Sequence, residues 1–511
     1  MYSMVSTAIV RGIESIVVAV EADVSDGMPV FDMVGLLGSE VKEARERVRT
    51  ALRNAGCRLP AKRITVNLSP ANIHKAGASF DLPIAVAILT ALGLVEREYM
   101  ENLLIAGEIG LNGAVLPVEG ILPMAAGAKE REMRGCLVAS ANVAEASLIE
   151  GLEVYGVDSI AQLIARFSGP VRPETQKSRQ ISFPMAAVEK DFAEMKGQQF
   201  LKRACEIAVS GMHNLLMSGP PGSGKTMAAQ RIAGILPPLT REEQLEISKI
   251  YSVSGLLREQ MELVTSRPFR SPHHTVTPQA MAGGGRIAKP GEIALANGGV
   301  LFLDELTEFN RDTLEILRQP LEDRQISIAR VNGNVCYPAD FLLVAAMNPC
   351  ACGYYPDRNR CCCTDSQLAR YRNKLSQPLL DRIDICIVVP RLTYEELSQP
   401  GRGKETSAQI RERVVQVQQI EQERFRGTGL RYNSQIPASM LAEYCPLGKK
   451  EQEYMKNVYR RMALSARSYH KILKVARTIA DMEQRKEIGI SHLTEAVCYR
   501  SFEKKGEGES F

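Results

Sequence analysis

The chain has 511 residues, 45% of them hydrophobic and 24% charged, a composition typical of a protein with several buried cores. Its longest apolar run, residues 82–95, is shorter than the roughly 20 residues that a bilayer-spanning helix needs. The chain has twelve cysteines, and its N-terminal residues lack the basic-then-apolar order of a signal peptide. Together these features favour a reducing, cytoplasmic location. Membrane, fibrous, disordered and secreted classes are therefore excluded.

The net charge of +4 is unevenly spread, because residues 1–168 carry −5 and residues 396–511 carry +6. A basic C-terminal segment fits contacts with phosphate groups, although a solvated helical face more often explains such a charge. The chain has no Trp and only 5% aromatic residues, so an aromatic platform for stacking single-stranded bases is not expected.

The N-terminal part, residues 1–168, is predicted to form an α/β or α+β domain. Its β-rich runs, at residues 16–20, 63–67 and 103–106, alternate with helical patterns. The clearest helix covers residues 39–55, whose apolar residues recur on one face. The polar stretch that follows, residues 169–194, begins with Gly and Pro and is interpreted as a linker.

The middle part, residues 195–394, is predicted to contain a parallel sheet. Three short apolar runs, at residues 215–218, 300–303 and 341–346, stand between helical patterns, as buried parallel strands do. The sequence therefore predicts an α/β core for this part.

The C-terminal part, residues 395–511, lacks strand patterns. Long polar-apolar helical periods dominate it, as at residues 408–424 and 449–485. This pattern predicts an all-helical domain.

A phosphate-binding loop directly follows the first apolar run of the middle part. Its residues fit G-x-x-x-x-G-K-[ST] and are Gly219, Pro220, Pro221, Gly222, Ser223, Gly224, Lys225 and Thr226. The glycines let consecutive backbone N–H groups point into one concavity that binds phosphate oxygens. Lys225 is expected to reach the β- and γ-phosphates and Thr226 to ligate Mg²⁺, while the following helix adds its positive end. A glycine turn without a ligand is the alternative.

Two further strand ends supply acidic and amide side chains. The run at 300–303 leads into Asp304, expected to hold Mg²⁺ through water, and Glu305, expected to polarise an attacking water. The run at 341–346 leads to Asn348, which either orients that water or begins a turn before Pro349. With the loop, these motifs predict a nucleoside triphosphate hydrolase whose cofactors are ATP and Mg²⁺.

Five cysteines fall within residues 350–363, at Cys350, Cys352 and three consecutive positions from Cys361. Four thiolates in two close pairs suit tetrahedral Zn²⁺, with the polar residues between them forming a loop. The C-x-C spacing is less usual than C-x-x-C, and free thiols in a loop are the alternative. His273 and His274 are further candidate ligands, but they are more typical of structural loop residues.

The order of these motifs resembles the AAA+ ATPases of the magnesium-chelatase group, and most closely the bacterial ComM/YifB-type proteins. The order includes KPGEI at 289–293 before the Asp-Glu strand and LLDRID at 379–384 after Asn348. Further blocks that look like the family's own are VNLSPA at 66–71, FRSPHH at 269–274, GGG at 283–285, NPCACG at 348–353 and ARTIAD at 476–481. The resemblance therefore covers nearly the whole chain.

This resemblance implies a homo-oligomeric ring, expected to be a hexamer, with ATP sites between subunits. Arg382 falls where AAA+ proteins place the arginine finger, a cation offered to the neighbour's γ-phosphate; otherwise it is a salt-bridged surface residue. Arg467 resembles the second sensor, which closes the lid on bound nucleotide, and Arg477 is its competitor. The family's paired C-x-C arms select as Zn²⁺ ligands Cys350, Cys352, Cys361 and Cys363, and leave Cys362 spare.

Two segments look like insertions of this AAA+ group, the helix-2 insert and the pre-sensor hairpin. Residues 282–290 are a glycine-rich loop, and residues 325–337 are predicted to be a β-hairpin with Asn-Gly at its tip. In hexameric relatives such loops line the pore and move polynucleotide or polypeptide. Their basic residues are either phosphate contacts or solvated loop residues: Arg286, Lys289, Arg324 and Arg330.

The N-terminal part resembles the Lon-type protease domain. Residues 75–79 lie where those proteases carry their nucleophilic serine, here Ser79. Residues 115–122 match the segment of the catalytic lysine, but Leu122 takes the lysine's place. Without an amine to accept its proton, Ser79 is an ordinary hydroxyl, so the domain is expected to be non-proteolytic.

The expected fold class is therefore multidomain α/β, with a Lon-like domain, a P-loop AAA+ core and an all-helical C-terminal lid. The resemblance implies a ring-forming motor that remodels DNA, since ComM-type relatives promote branch migration during natural transformation. DNA and further copies of the chain are the expected partners, and no membrane is expected. Two alternatives remain: an ATP-driven chaperone or unfoldase, and metal insertion into a tetrapyrrole, against which the Lon-like domain and the cysteines speak.

Overall fold

A computed structural model describes residues 1–169, 174–175, 190–257, 262–285, 288–330, 334–394 and 405–500. Most of the predicted linker, Arg286, the hairpin tip at residues 331–333 and the start of the predicted lid lie outside the described residues. Within them, no helix combines the length and the apolar character that a membrane crossing requires. The domain limits at residues 168, 194 and 394 stay a prediction.

The N-terminal part is built on one mixed sheet. Its strands are β1 (Tyr2–Arg11), β2 (Glu14–Ser25), β3 (Phe31–Val34), β4 (Arg63–Ser69), β5 (Leu103–Ala106), β6 (Glu108–Ile109), β7 (Val115–Leu116), β8 (Gly135–Ala139) and β9 (Glu153–Val157). The spatial order is β3-β4-β2-β1-β5-β8-β9, while β6 and β7 form a separate pair. The β1–β2 and β2–β4 pairs are antiparallel and the other pairs of this sheet are parallel.

Helices cover the apolar surface of this sheet. They are α1 (Ser39–Asn54), α2 (Asp81–Ala91), α3 (Arg97–Met100), α4 (Ile121–Glu130), α5 (Val143–Ala146) and α6 (Ile160–Phe167). The predicted apolar face of α1 is the buried one. Every residue of α2 is buried, so the longest apolar run of the chain is a core helix.

The middle part contains the predicted parallel sheet. Its strands are β10 (Leu215–Ser218), β11 (Phe269–Arg270), β12 (Gly283–Gly284), β13 (Lys289–Pro290), β14 (Val300–Leu303), β15 (Gln325–Ile328), β16 (Val335–Pro338), β17 (Leu342–Met347) and β18 (Ile385–Val388). The parallel sheet has the order β11-β14-β17-β10-β18, and β12–β13 and β15–β16 form two antiparallel hairpins. The predicted α/β core is confirmed.

The helices of the middle part connect and cover these strands. They are α7 (Gln199–Ser210), α8 (Lys225–Ile235), α9 (Arg241–Ser254), α10 (Pro278–Ala282), α11 (Glu292–Leu295), α12 (Arg311–Glu315), α13 (Pro320–Asp323), α14 (Asp365–Arg372) and α15 (Gln377–Leu380).

Short 3₁₀ helices occur in all three parts of the chain, at Ala78–Phe80, Ser140–Asn142, Phe192–Glu194, Leu306–Glu308, Ile316–Arg318, Asn433–Gln435 and Ala438–Met440.

The described C-terminal part is helical, as predicted. Its helices are α16 (Ser407–Arg424), α17 (Leu441–Tyr444), α18 (Lys449–Arg461), α19 (Ala466–Met482) and α20 (Ile490–Cys498). The period predicted over residues 449–485 is divided between α18 and α19. Ala463 takes a φ of +47°, and Ser465 caps α19 by accepting a hydrogen bond from the backbone N–H of Ser468.

Two contacts join these parts more closely than their patterns predicted. Phe192, near the end of the predicted linker, is buried in the core that β10, β17 and β18 share with the C-terminal helices. The N-terminal part packs its apolar residues against α9 and the residues before and after it, including Leu239, Ile247 and Leu263. The described end of the linker is therefore part of a packed core.

Candidate nucleotide-binding site

Three neighbouring strands of the parallel sheet end in polar side chains at one edge. β10 pairs with β17, and β17 pairs with β14, so β17 lies between the strand of the phosphate-binding loop and the strand of Asp304. The carboxyl ends of parallel strands share one edge of the sheet, where ligands of α/β proteins bind. The loop, Asn348 and Asp304 therefore lie side by side.

The phosphate-binding loop turns between β10 and α8. Gly222 and Gly224 have φ values of +76° and +94°, a conformation that favours glycine. Ser223 Oγ is buried and has no hydrogen-bond partner among the described residues. Gln198, which the sequence motifs did not indicate, donates from Nε2 to Ser223 O at 3.3 Å and to Pro390 O at 2.8 Å. The two glycines permit the backbone conformation of the turn, and the hydrogen bonds of Gln198 hold the turn against the residues after β18.

Lys225 points back over this loop. Its Nζ donates to Gly219 O at 2.6 Å and Pro220 O at 3.0 Å, and lies 3.5 Å from Asn348 Oδ1. Burial lowers the pKa of Lys225, and the Asp304 carboxylate partly opposes that effect. A buried ammonium whose direct hydrogen-bond partners are neutral oxygens is a favourable position for an anion.

Thr226 and Asp304 bring two oxygens together beside Lys225. Thr226 Oγ1 donates to Asp304 Oδ2 at 2.7 Å, and Asp304 Oδ1 accepts from the backbone N–H of Glu305 at 3.0 Å. A hydroxyl and a carboxylate are the hard oxygen ligands that Mg²⁺ prefers. Together with the unpartnered hydroxyl and the buried ammonium, these residues fit a nucleoside triphosphate with Mg²⁺.

Glu305 lies next to this oxygen pair and is held by a histidine. Its φ is +52°, its side chain is 57% exposed, and its Oε2 is 3.4 Å from His274 Nδ1. The His274 ring lies 4.0 Å from the His273 ring and 6.4 Å from that of Phe309, centroid to centroid. From sequence, both histidines are structural loop residues or candidate metal ligands. The contact of His274 with Glu305 depends on the path of the segment between β11 and α10, which no local sequence pattern indicates.

Arg382 lies at the opposite edge of the same sheet. It precedes β18, and Asn214, which precedes β10, donates from Nδ2 to Arg382 O at 3.0 Å. Because β10 and β18 are parallel and in register, the length of a four-residue strand, about 13 Å, separates Arg382 from the phosphate-binding loop. The guanidinium donates to Arg318 O at 3.0 Å and pairs with Glu322 at 2.6 Å.

Arg467 lies in the same cleft as Arg382. The cleft has a volume of about 430 Å³, and no residue of the phosphate-binding loop is among the described residues that line it. Arg467 Nη1 is 3.7 Å from Asp381 Oδ2, and the side chain is 62% exposed. Arg467 therefore lies beside Arg382, and its role as the second sensor that closes the lid on bound nucleotide stays a prediction.

Arg477, the competitor of Arg467, is a structural residue. It is buried, pairs with Asp481 at 3.0 Å and donates from Nη1 to Lys486 O at 2.7 Å. Its charge is paired with Asp481 inside the C-terminal helices.

Four of the clustered cysteines lie together. The sulfurs of Cys350, Cys352, Cys361 and Cys363 are within 4.8 Å of one another, and three of the Sγ–Sγ distances are 3.3, 3.6 and 3.8 Å. Four thiolates at about 2.3 Å from a tetrahedral Zn²⁺ are roughly 3.8 Å apart, so the group fits that ion. A hydrogen bond from the backbone of Tyr354 lowers the pKa of Cys352 to about 6. Against a hydrogen bond from the backbone of Cys363, burial and the neighbouring thiols raise the pKa of Cys361 to about 12, so Cys352 becomes a thiolate before Cys361. Cys362 is exposed and lies outside the group.

The loop that carries these cysteines contacts the nucleotide side of the sheet. A Cβ on Gly353, whose φ is +83°, would lie 2.8 Å from Pro221 Cδ. Beyond the loop, α14 places Tyr371 where its hydroxyl accepts from Thr307 Oγ1 at 2.7 Å. The cysteine loop therefore packs against the phosphate-binding loop, and the helix that follows it contacts the segment after Glu305.

The described basic residues of the two insertions have different partners. Lys289 pairs with Glu119 of the N-terminal part at 2.6 Å, and Arg330 Nε donates to Gly285 O at 3.3 Å. Arg324 is 3.6 Å from Asp340 and lines the cleft of Arg382. Lys289 and Arg330 are thus on the hairpins, and Arg324 is not.

Comparisons with known proteins match the chain along most of its length. Three family profiles match: "Subunit ChlI of Mg-chelatase" over residues 20–142, "Magnesium chelatase, subunit ChlI" over 191–397, and "Magnesium chelatase, subunit ChlI C-terminal" over 404–500. The chain is 41% identical to competence protein ComM of Haemophilus influenzae over 497 residues, which covers 96% of each chain. The chain belongs to the ComM/YifB-type magnesium-chelatase-like family.

Two further relatives differ in how much of the chain they match. YifB of Escherichia coli is 40% identical over 503 residues, covering 98% of this chain and 97% of YifB. The magnesium-chelatase 38 kDa subunit of Cereibacter sphaeroides is 24% identical over 174 residues, covering 31% of this chain and 52% of the subunit. The likeness to ComM/YifB-type proteins extends over nearly the whole chain, and this match to a chelatase subunit covers one part of it. Family membership and the parallel sheet together identify an AAA+ core.

Proposed function

We propose that this protein is a Mg²⁺-dependent ATPase. The convergence of Lys225, the Thr226–Asp304 pair, Glu305 and Asn348 at one sheet edge carries the proposal. Lys225 and the loop N–H groups would hold the phosphates, and Thr226 and Asp304 would hold Mg²⁺. Mg²⁺ held there would neutralise the negative charge that develops on the phosphates.

The other two residues at this edge act on water. Glu305, half-exposed beside the Thr226–Asp304 pair, would polarise an attacking water and accept its proton. Asn348 would orient the same water, because its amide oxygen lies near the ammonium of Lys225. His274 positions Glu305 for this role.

The same geometry favours sites that are completed by a second copy of the chain. Arg382 lies a strand's length from the phosphate-binding loop of its own chain, so its guanidinium serves as an arginine finger only toward a neighbour's nucleotide. Arg467 shares its cleft and would face the same neighbour. We therefore propose a ring of identical subunits, most simply the hexamer that AAA+ relatives form.

We propose double-stranded or branched DNA as the substrate of this motor. The first support is the relation to a competence protein, which covers nearly the whole of both chains. The second is the pair of hairpins β12–β13 and β15–β16, which carry basic residues and correspond to the segments that resemble the pore loops of AAA+ relatives in sequence. ATP hydrolysis would then move DNA strands past these hairpins, as in branch migration.

We also propose that the four clustered cysteines hold one structural Zn²⁺. The four sulfurs have the separations of a tetrahedral site, and the loop they close connects Asn348 with α14. Metal binding would supply part of the folding free energy of this loop.

A measurement of ATP hydrolysis with and without a four-way DNA junction tests the motor and its substrate together. We expect Mg²⁺-dependent hydrolysis that the junction stimulates, and junction binding that weakens steeply as salt is raised. Stimulation by an unfolded polypeptide in place of DNA would favour the unfoldase alternative. Hydrolysis that neither polymer changes would leave the ATPase and remove the DNA function.

A further inference from the structure

The two hairpins of the ATPase core form one packed unit. The Tyr337 hydroxyl of β16 donates to Ala288 O beside β13 at 2.5 Å. Arg330, after β15, donates from Nε to Gly285 O, next to β12, at 3.3 Å. A displacement of one hairpin therefore displaces the other.

The N-terminal part contacts this unit through the turn that joins β1 and β2. Arg11 donates from Nε and Nη2 to Asn334 O at 3.1 and 2.9 Å. Gly12 has a φ of +69°, and a Cβ there would lie 2.4 Å from Cys336 O. Ile13 packs against the apolar cluster beneath the hairpins. Only a glycine permits this approach of backbone to backbone, so the turn is built to fit the hairpin.

A second contact joins opposite charges. Glu119 Oε2 of the N-terminal part lies 2.6 Å from Lys289 Nζ of β13, and the two side chains are 41% and 46% exposed. A carboxylate oxygen and a phosphodiester oxygen accept from an ammonium at similar distances, about 2.7–2.9 Å. Glu119 therefore occupies the position that a backbone phosphate of a nucleic acid would take on Lys289.

Glu119 is held in this position by a docked domain. The N–H of its neighbour Gly120 donates to Ser252 O of α9 at 3.3 Å, and Ser252 Oγ donates to Glu145 Oε1 at 2.5 Å. Around these bonds, apolar residues of the N-terminal part and of the α9 region share one buried cluster. A tethered carboxylate competes at a fixed, high local concentration, unlike an anion in solution.

We propose that Glu119 is an internal competitor that masks Lys289 from nucleic-acid phosphate. A DNA strand that reaches the hairpins exchanges its phosphate for Glu119 and so loosens the N-terminal part from β13. The proposal rests on the proposed DNA function, and it gives the N-terminal part a role in substrate entry. Because the Glu119–Lys289 ion pair is exposed, we expect it to lower the affinity for DNA by about two- to fivefold.

The test is the affinity of the full chain for a four-way DNA junction, measured at one fixed salt concentration. Glu119→Gln removes the competing charge and keeps the side-chain length, so we expect two- to fivefold tighter binding. Lys289→Ala is expected to weaken binding. The double variant should bind like Lys289→Ala alone, because Glu119 has no cation left to mask.

Glu101→Gln is the matched control. It makes the same change of charge in the N-terminal part, at a glutamate that pairs with Arg97 at 3.6 Å. Equal junction affinities of Glu119→Gln and Glu101→Gln would overturn the masking. So would an equal increase in junction affinity when Glu119→Gln is introduced into the wild type and into Lys289→Ala. Thermal unfolding midpoints within about two degrees of the wild type show that the variants fold. Absence of junction binding by the wild type itself would instead remove the DNA function.

Discussion

At the scale of single residues, we expect Lys225 to serve nucleotide binding and Glu305 to serve hydrolysis. Lys225 is buried against the loop and faces the phosphate position, so Lys225→Ala should weaken nucleotide binding about ten- to a hundredfold. Glu305 contacts His274 and is expected to act on water, so Glu305→Gln should bind ATP normally and hydrolyse it at least about a hundredfold more slowly. Titration with a fluorescent ATP analogue and a phosphate-release assay measure the two effects.

A matched lysine controls for the loss of charge. Lys456 is exposed and pairs with Glu453 on α18, so Lys456→Ala should leave nucleotide affinity unchanged. Equal nucleotide binding by Lys225→Ala and the wild type would contradict the assignment of the site.

His274 is expected to act through Glu305. His274→Ala should lower kcat on the order of tenfold and leave the KM for ATP within about twofold, because a displaced carboxylate affects chemistry more than binding. His274→Asn should recover part of the rate, since its amide N–H is able to donate to Glu305. Steady-state kinetics of the two variants check this, and a larger change in KM than in kcat would assign His274 to folding or to nucleotide binding.

At the scale of elements, we expect ATP hydrolysis to depend on metal binding by the cysteine loop. We expect one Zn²⁺ per chain by elemental analysis of protein purified without chelators. Changing Cys350 and Cys352 to Ser should abolish the metal and lower hydrolysis about tenfold or more. Nucleotide affinity should change less, because the phosphate-binding loop is anchored on β10 and α8.

The control for this variant uses two cysteines outside the group. Cys362 and Cys498 are both exposed, so their replacement by Ser should leave zinc content and hydrolysis unchanged. Clearly substoichiometric zinc in the wild type, with no other metal, would leave the four cysteines as plain thiols.

At the scale of the whole molecule, the position of Arg382 predicts that two copies share each site. Arg382→Ala should bind ATP normally and hydrolyse it about 10³-fold or more slowly, as loss of an arginine finger does. A mixture with Glu305→Gln subunits should recover activity, because some interfaces then combine an intact Glu305 with an intact Arg382.

This mixing experiment separates the shared site from a site completed within one chain. Phosphate release is measured over a series of ratios of the two inactive variants, with each variant alone as the baseline. Activity that stays at the baseline at every ratio would contradict the shared site and favour an Arg382 that serves a local structural role with Glu322.

The sequence by itself determined the elements that carry the candidate site, and it predicted the chemistry of that site. The phosphate-binding loop, the Asp-Glu pair and the strands at 215–218 and 300–303 depend on local patterns, and the structure has both strands at those bounds. The amphipathic pattern of α1 likewise identified its buried face. Such features are encoded within a few residues of each other, so no knowledge of the fold is needed to find them.

Only the tertiary structure decided which of these residues meet. The strand order put Asn348 between the loop and Asp304, brought His274 to Glu305, and placed Arg382 and Arg467 in a cleft at the other edge of the sheet. It also paired Glu119 with Lys289, 170 positions apart in the chain. Contacts between distant segments depend on sheet order and docking of whole parts, which residue patterns within one segment do not contain.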